Sequence, residues 1–188
     1  RSGWAHLYLY DGNGKLKNAI TKGPWHVQKI LKVDEKARVI YFTANGKKDD
    51  NASLKKGKKE DDNWNPYYQH LYRVNFDGSG LKEFTSGEFY HEPYMDDNYR
   101  YFVDNFSRVN TIPCTVLLDN SGNKIMNLEE SDFSQLFAAG YRFPETFKVK
   151  ADDGVTDLYG VMYKPYNFDS TKVYPIIDYV YPGPQVEA

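Results

Sequence analysis

An internal repeat constrains the fold of this 188-residue chain more than any other feature of its sequence. Residues 6–8 (HLY) return 64 residues later as residues 70–72, and residues 21–23 (TKG) return at the same interval as residues 85–87 (TSG). A third, fainter copy begins at residues 115–118 (TVLL), about 45 residues after the second. That spacing is typical of β-propeller blades, each of which is a small antiparallel sheet. The repeat therefore predicts packed antiparallel blade sheets.

The hairpin turns of the repeat can also be matched. Asp11 and Gly14 stand in a turn (DGNG), and we pair them with Asp77 and Gly80 of the second copy. Such residues favour hairpin turns because they tolerate positive φ angles and because aspartate can bond to nearby backbone. Between the two turns, residues 39–43 (VIYFT) are rich in β-branched and aromatic side chains, which predicts a strand.

An insert explains why the first repeat interval is longer than the second. Residues 46–62 contain six Lys and five acidic residues and almost nothing apolar. Such a segment cannot bury a core, so we expect a solvated and mobile loop between two strands. A lid or a partner-docking loop is the alternative interpretation.

The repeat pattern of the sequence ends near residue 130. Residues 131–139 (SDFSQLFAA) predict a helix that starts at Ser131 or Asp132 and ends at Gly140. A hairpin follows, and its turn at residues 151–154 (ADDG) lacks the spaced oxygens of a calcium loop. We therefore place a domain boundary near the helix.

A nearly continuous apolar run lies close to the end of the chain. Residues 173–181 (VYPIIDYVY) are closed by Pro-Gly-Pro, which predicts a buried strand that ends in a sharp turn. Strands of this character belong to sheets covered on both faces, as in α/β domains. In such sheets chemistry gathers just past the carboxyl ends of strands, and Tyr181 stands at that position.

Composition excludes several classes of function. The formal net charge is −2, which gives no indication of a nucleic-acid partner. Cys114 is the single cysteine, so an intramolecular disulfide framework is excluded. No apolar run approaches the ~18 residues that a membrane span needs. We expect no cofactor and no metal site.

The remaining candidate residues favour structural interpretations. His6 and His70 occupy equivalent positions of the repeat, which indicates a role in the blade rather than in a site. His91 and Glu92 lack the second histidine of the H-E-x-x-H zinc motif. Cys114 follows a proline and precedes a strand, so we expect a buried and unreactive thiol.

Several segments, in this order, resemble one known family: residues 1–11 (RSGWAHLYLYD), 21–27 (TKGPWHV), 102–107 (FVDNFS), the short motifs 144–147 (PETF), 153–154 (DG), 158–160 (LYG), 164–165 (KP) and 174–175 (YP), and 180–184 (VYPGP). The chain is similar over nearly its whole length to the dipeptidyl peptidase IV family, within the prolyl oligopeptidase group of serine peptidases. The last of these segments is the most specific match.

The resemblance implies a mainly β fold, namely a partial β-propeller followed by the first strands of an α/β-hydrolase domain. The implied domains are blades over residues 1–130, a linking helix over 131–141 and hydrolase strands over 142–188. We expect the chain to be a fragment of a longer, periplasmic or secreted protein.

The resemblance also implies an activity, which is the release of N-terminal dipeptides from peptide substrates, preferentially after Pro or Ala. Tyr181 matches the family tyrosine whose hydroxyl stabilises the oxyanion. The nucleophile elbow G-x-S-x-G is absent from this sequence, as are the family's later Asp and His, so we expect the isolated fragment to be inactive.

One alternative of a different class stays open. A non-catalytic propeller could bind a protein partner or a carbohydrate, with Trp4, Trp25 and the many tyrosines as a platform. Open blade edges would also let copies of the fragment pair as homo-oligomers.

Overall fold

The computed structural model describes residues 2–47 and 65–180. These residues form twelve strands and one short helix. In chain order they are β1 (Tyr8–Tyr10), β2 (Leu16–Ala19), β3 (His26–Asp34), β4 (Val39–Asn45), β5 (Gln69–Asn75), β6 (Lys82–Glu83), β7 (Tyr90–Met95), β8 (Tyr101–Ser107), β9 (Cys114–Asp119), β10 (Lys124–Glu130), α1 (Ser134–Ala138), β11 (Glu145–Lys150) and β12 (Asp157–Met162).

Two four-stranded antiparallel sheets form the centre of the fold. The first blade has the order β3-β4-β5-β6 and the second blade has the order β7-β8-β9-β10. In both, each strand pairs with the next strand along the chain, as expected of a propeller blade. The hairpin β1–β2 precedes them and the hairpin β11–β12 follows them. The predicted mainly β fold with antiparallel blade sheets is confirmed.

The repeat has the same hydrogen bonds in two successive copies. In the first copy, the hydroxyl of Thr21 lies 3.1 Å from Nδ1 of His6 and accepts a 2.9 Å hydrogen bond from the backbone N–H of Leu7. In the second copy, the hydroxyl of Thr85 lies 3.3 Å from Nδ1 of His70 and accepts a 3.1 Å hydrogen bond from the backbone N–H of Leu71. The histidines and threonines are therefore repeated because each pair joins the two sides of one hairpin, β1–β2 in the first copy and β5–β6 in the second.

The hairpin turns correct one pairing of the repeat. Three turns each end in a glycine of positive φ whose N–H donates to the carbonyl three residues earlier: Gly14 to Asp11, Gly78 to Asn75 and Gly122 to Asp119. The predicted match of Asp77 and Gly80 to the first turn is therefore wrong by two residues. Asn75 forms the same backbone turn as an aspartate, and the Asp77-Gly78 pair that follows it has the same residue types as the first turn without the same position in it.

Replacing Gly78 by Ala should destabilise the full-length protein by about 2–4 kcal/mol. The φ angle of Gly78 is +87°, and a Cβ there would lie 2.9 Å from the backbone oxygen of Ile20. Gly14 is the matched control, since its φ is +78° but no atom lies within 4 Å of its added Cβ. Gly14→Ala should therefore show only the backbone strain of about 1–2 kcal/mol. Chemical denaturation of both variants measures the difference, and equal losses would contradict the predicted clash.

The strand β4 connects the two parts of the core. All seven of its residues are buried, and alternate side chains enter different clusters. Ile40 and Phe42 pack with Trp25 and Tyr72 within the first blade and its neighbouring hairpin. Residues 39 and 41 pack on the second blade, in a cluster with Leu71, Phe84, Phe102, Val116 and Leu118. Burial on both faces explains why four of the five residues in the run VIYFT are apolar or aromatic.

The predicted helix is present but shorter than its sequence pattern indicates. It covers Ser134–Ala138 rather than residues 131–139, and none of its residues is buried. The carboxylate of Asp132 accepts a 2.8 Å hydrogen bond from the backbone N–H of Ser134, and Gly140 ends the helix with φ +93°. Phe133 and Phe137 pack in a small aromatic cluster with two residues that follow the helix.

The predicted turn at residues 151–154 is confirmed as the turn of the β11–β12 hairpin. The N–H of Gly154 donates to the carbonyl of Ala151, and the carboxylate of Asp153 accepts two backbone N–H groups at 2.9 and 2.8 Å. Because these bonds already use one carboxylate oxygen for the chain itself, the segment is a structural turn.

The strand predicted over residues 173–181 is not formed among the residues that the structure describes. Residues 173–180 form no strand, and no described strand pairs with them. A strand needs hydrogen-bonding neighbours, and an apolar pattern cannot supply them by itself.

Candidate functional site

Tyr181, the residue with a predicted catalytic role, lies outside the described residues. Residues 48–62 of the predicted insert also lie outside them. The structure therefore bears on Tyr181 only through residues 173–180, which precede it in the chain.

That leading segment exposes an unusual amount of apolar surface. Val173, Ile176 and Ile177 are exposed by 99%, 91% and 93%, whereas large aliphatic side chains are normally buried. Tyr174 is the anchored residue of the run, because its ring stacks on Phe168 at 5.1 Å and its hydroxyl accepts a bond from the backbone of residue 169. A contiguous exposed apolar patch indicates a surface that another part of a protein covers.

A second candidate is a buried acid–base pair in the second blade. Nδ1 of His91 on β7 lies 2.7 Å from Oδ2 of Asp104 on β8, and both residues are at most 2% exposed. The carboxylate can only accept, so it orients the ring with the Nδ1–H donating to it. Nε2 of His91 and Oδ1 of Asp104 have no hydrogen-bond partner among the described residues.

The sequence interpretation missed Asp104. A signal was present in residues 102–107 (FVDNFS), because a strand puts Phe102, Asp104 and Phe106 on the same face. A carboxylate between a buried ring, Phe102, and a partly buried ring, Phe106, requires a partner, and His91 is that partner.

His70 lies beside this pair and stays neutral. Its ring centroid is 5.1 Å from that of His91. Burial, assisted by the nearby His91, lowers the pKa of His70 to about 3. Glu83 lies 3.3 Å from Nδ1 of His70 and favours the charged ring, but desolvation outweighs this exposed carboxylate.

The lowered pKa of His70 predicts a loss of stability in acid. The unfolded chain binds a proton on His70 near pH 6.5, whereas the folded protein binds it only near pH 3, where the folded pKa lies at about 3. The contribution of neutral His70 to the free energy of unfolding is therefore complete above pH 6.5 and is lost as pH falls towards 3. The free energy of unfolding of the full-length protein should therefore fall between pH 7 and pH 5. His70→Gln should flatten this slope, whereas the matched variant His6→Gln retains His70 and should keep it. An unchanged slope in His70→Gln would contradict the assignment.

The other sequence candidates have structural environments. Glu92 is exposed while its neighbour His91 is buried, so the two do not act together. Burial raises the pKa of the Cys114 thiol, and the charge of Glu130 adds to the effect, which makes a nucleophilic thiolate unfavourable. Trp25 is 4% exposed and stacks between core rings, so it is unavailable as a carbohydrate platform.

The part of the chain that the structure describes offers no metal site and no membrane-spanning helix. Within residues 2–47 and 65–180, no group of three or more His, Cys, Asp or Glu side chains could hold a metal ion. In the same residues, no helix has the length and apolar character to cross a membrane.

Fold and site together define a partial β-propeller that continues into a β-hairpin and an exposed apolar segment. A family model, the dipeptidyl peptidase IV (DPP IV) N-terminal region, matches residues 1–113. The chain belongs to the dipeptidyl peptidase IV family.

Curated relatives agree with this family assignment. The chain is 28% identical to dipeptidyl peptidase 4 of Arthroderma otae over 190 residues, which cover 97% of this chain and 22% of the relative. It is also 28% identical to dipeptidyl peptidase 4 of Trichophyton rubrum over 189 residues, with the same coverage. The chain thus spans about a fifth of the length of these relatives, 22% in both cases.

Two solved structures share the fold. Dipeptidyl peptidase 4 of Porphyromonas gingivalis matches with a TM-score of 0.66 at 21% identity, over 92% of this chain and 22% of the other. A dipeptidyl aminopeptidase IV described as putative, from Bacteroides ovatus, matches with a TM-score of 0.66 at 24% identity, over 93% of this chain and 25% of the other.

Proposed function

We propose that this chain is the middle part of a serine exopeptidase that removes dipeptides from peptide N-termini, preferentially after Pro or Ala. The observation that carries the proposal is the similarity to proteins named dipeptidyl peptidase 4 over 97% of the chain. The two blades are consistent with this assignment, because they reproduce the repeat on which the family resemblance rests.

The chain contributes two structural parts to that enzyme in this proposal. Residues 1–130 are propeller blades, residues 131–141 are a linker, and residues 142–188 begin the hydrolase domain. In support, the hairpin β11–β12 pairs only with itself among the described strands. Its Tyr159 meets Tyr67, which precedes β5, edge to face at 6.2 Å. This contact brings the hairpin against one end of the first blade.

Tyr181 is the residue of this chain that acts in catalysis under the proposal. The exposed run before it, with Ile176 and Ile177 more than 90% exposed, gains a buried position when it pairs as a strand of the hydrolase sheet. The hydroxyl of Tyr181 then lies at the carboxyl end of this strand. A fixed donor at that place stabilises the charge that develops on the substrate carbonyl oxygen. A tyrosine donor cannot attack the carbonyl, so the nucleophile comes from another part of the protein.

The proposal is tested by the release of dipeptides from chromogenic anilides. The full-length protein should hydrolyse a Gly-Pro anilide and an Ala-Pro anilide with a free N-terminus. An N-acetylated Gly-Pro anilide is the matched control and should react far more slowly, because an exopeptidase recognises the free amine. The isolated 188-residue chain should release no chromophore. Equal hydrolysis of the free and acetylated substrates, or none of either, would contradict the proposed activity.

A further inference from the structure

The fourth strand of the second blade, β10, is an unpaired edge. It stands last in the order β7-β8-β9-β10, and among the described strands it pairs only with β9. The fourth strand of the first blade, β6, has two residues, whereas β10 has seven. An edge strand presents unpaired N–H and C=O groups that a strand of another chain can bind. The length of β10 therefore gives it the larger surface for such pairing.

The side chains of this edge are also uncovered. All seven residues of β10 are exposed, and Ile125, Met126 and Leu128 among them are exposed by 49%, 51% and 43%. Natural proteins usually limit long apolar edges by shortening the strand or by placing charges on it. A strand that paired with β10 would cover the apolar side chains and satisfy the free backbone groups together.

The charges of β10 lie at its two ends and have opposite signs. Lys124 begins the strand opposite Leu118 of β9, and Glu130 ends it opposite Cys114. Residues 114 and 118 are four apart in one strand, so they and the residues opposite them point to one face of the sheet. Both Lys124 and Glu130 accordingly line the same cavity against the blade.

This arrangement makes the edge complementary to itself. Lys124 and Glu130 each lie three residues from Asn127, the middle residue of the strand. When two copies of β10 pair antiparallel with Asn127 opposite Asn127, Lys124 of each copy faces Glu130 of the other. Opposite charges directly across an antiparallel pair are favourable, and like charges are unfavourable. A two-fold axis produces both ion pairs at once, as in the usual symmetric dimer.

The bulges of β10 are compatible with the same partner. The register to β9 shifts between Lys124 and Met126 and again between Asn127 and Glu129. A bulge bends its strand, so a straight partner strand would fit this edge poorly. A second copy related by a two-fold axis perpendicular to the sheet bends towards the same face.

We propose that β10 is an interface between two copies of this protein, which pair antiparallel about a two-fold axis at Asn127. The two four-stranded blades then continue into each other across the axis. The contact of two seven-residue strands is small beside the standard interface of about 1,600 Å². The dimer is therefore weak and forms in a concentration-dependent manner, independently of peptidase activity.

Charge reversal in the full-length protein tests the pairing, with sedimentation velocity over a series of protein concentrations. Lys124→Glu places like charges at both ends of the interface and should weaken association about tenfold or more. Glu130→Lys should have the same effect. The double variant restores opposite charges and should restore association. Lys17→Glu is the matched control, because this exposed lysine makes the same charge change on β2 and should leave association unchanged.

Equal association of Lys124→Glu and the unaltered protein would overturn the proposal. A double variant that associates no better than the single variants would also overturn it, as would a full-length protein that does not self-associate.

A disulfide tests the position of the axis. Residues directly opposite in an antiparallel pair have Cα atoms about 4.5–5.5 Å apart, a distance that a disulfide can bridge. Asn127→Cys, in a Cys114→Ser background, should therefore give a covalent dimer on mild oxidation, seen on a non-reducing gel. Ile125→Cys in that background is the matched control, since four residues separate it from its own copy across the pair, or about 14 Å. The Cys114→Ser protein alone identifies links through other cysteines, and equal linking of the two cysteine variants would overturn the proposed register.

Discussion

Replacing Tyr181 by Phe should lower kcat of the full-length protein about 100- to 1,000-fold and change KM little. The variant keeps the ring and deletes the hydroxyl. Charge develops on the substrate carbonyl oxygen only during acyl transfer, so a donor at this position stabilises the transition state more than the bound substrate. The effect should therefore appear in kcat.

Steady-state kinetics on a Gly-Pro anilide measure this effect, and thermal melting checks that the variant folds. Tyr163→Phe is the matched control, because this tyrosine also lies past β12 and is 74% exposed. Its kcat should stay close to that of the unaltered protein. A kcat within about threefold in Tyr181→Phe, worth less than ~0.7 kcal/mol, would make Tyr181 a packing residue only.

Replacing Phe42 by Ala should destabilise the propeller blades by about 3–5 kcal/mol. Phe42 is fully buried in β4, and its ring lies 6.3 Å from that of Trp25 and 5.7 Å from that of Tyr72. Truncation removes the transfer free energy of the ring and leaves a void among three stacked aromatics.

Chemical denaturation of the full-length protein measures the loss, followed by tryptophan fluorescence because Trp25 contacts the altered residue. Tyr94→Ala is the matched control, since this strand aromatic is 68% exposed. It should change the free energy of unfolding by less than about 0.5 kcal/mol. A loss below about 1 kcal/mol in Phe42→Ala would show that the cluster is not a core.

The blades were predictable because their determinants are local. A strand and its neighbour in a meander are close in sequence, so alternation and turn residues indicate both. The threonine hydroxyl of each repeat accepts a hydrogen bond from the backbone N–H that follows its histidine, which explains why Thr21 and Thr85 recur with His6 and His70. The spacing of the repeat indicated the equivalent turn residues better than residue type did. Asn75 forms the turn equivalent to that of Asp11, although Asp77 is the residue of the same type.

The remaining features depend on contacts between distant residues. Residues 173–180 have the composition of a buried strand, but pairing requires neighbouring strands, and none of the described strands pairs with them. The pair of His91 and Asp104 joins two strands through their side chains, and the single sequence contains no record of that coupling.

The most direct test of the proposed function is a crystal structure of the full-length protein with a covalent transition-state analogue at its nucleophile. Residues 176–180 should be hydrogen-bonded between two neighbouring strands. The hydroxyl of Tyr181 should lie about 2.7 Å from the analogue's oxyanion. An unpaired and exposed segment, or a Tyr181 hydroxyl that points away from the oxyanion, would contradict the proposed role of this chain in the enzyme.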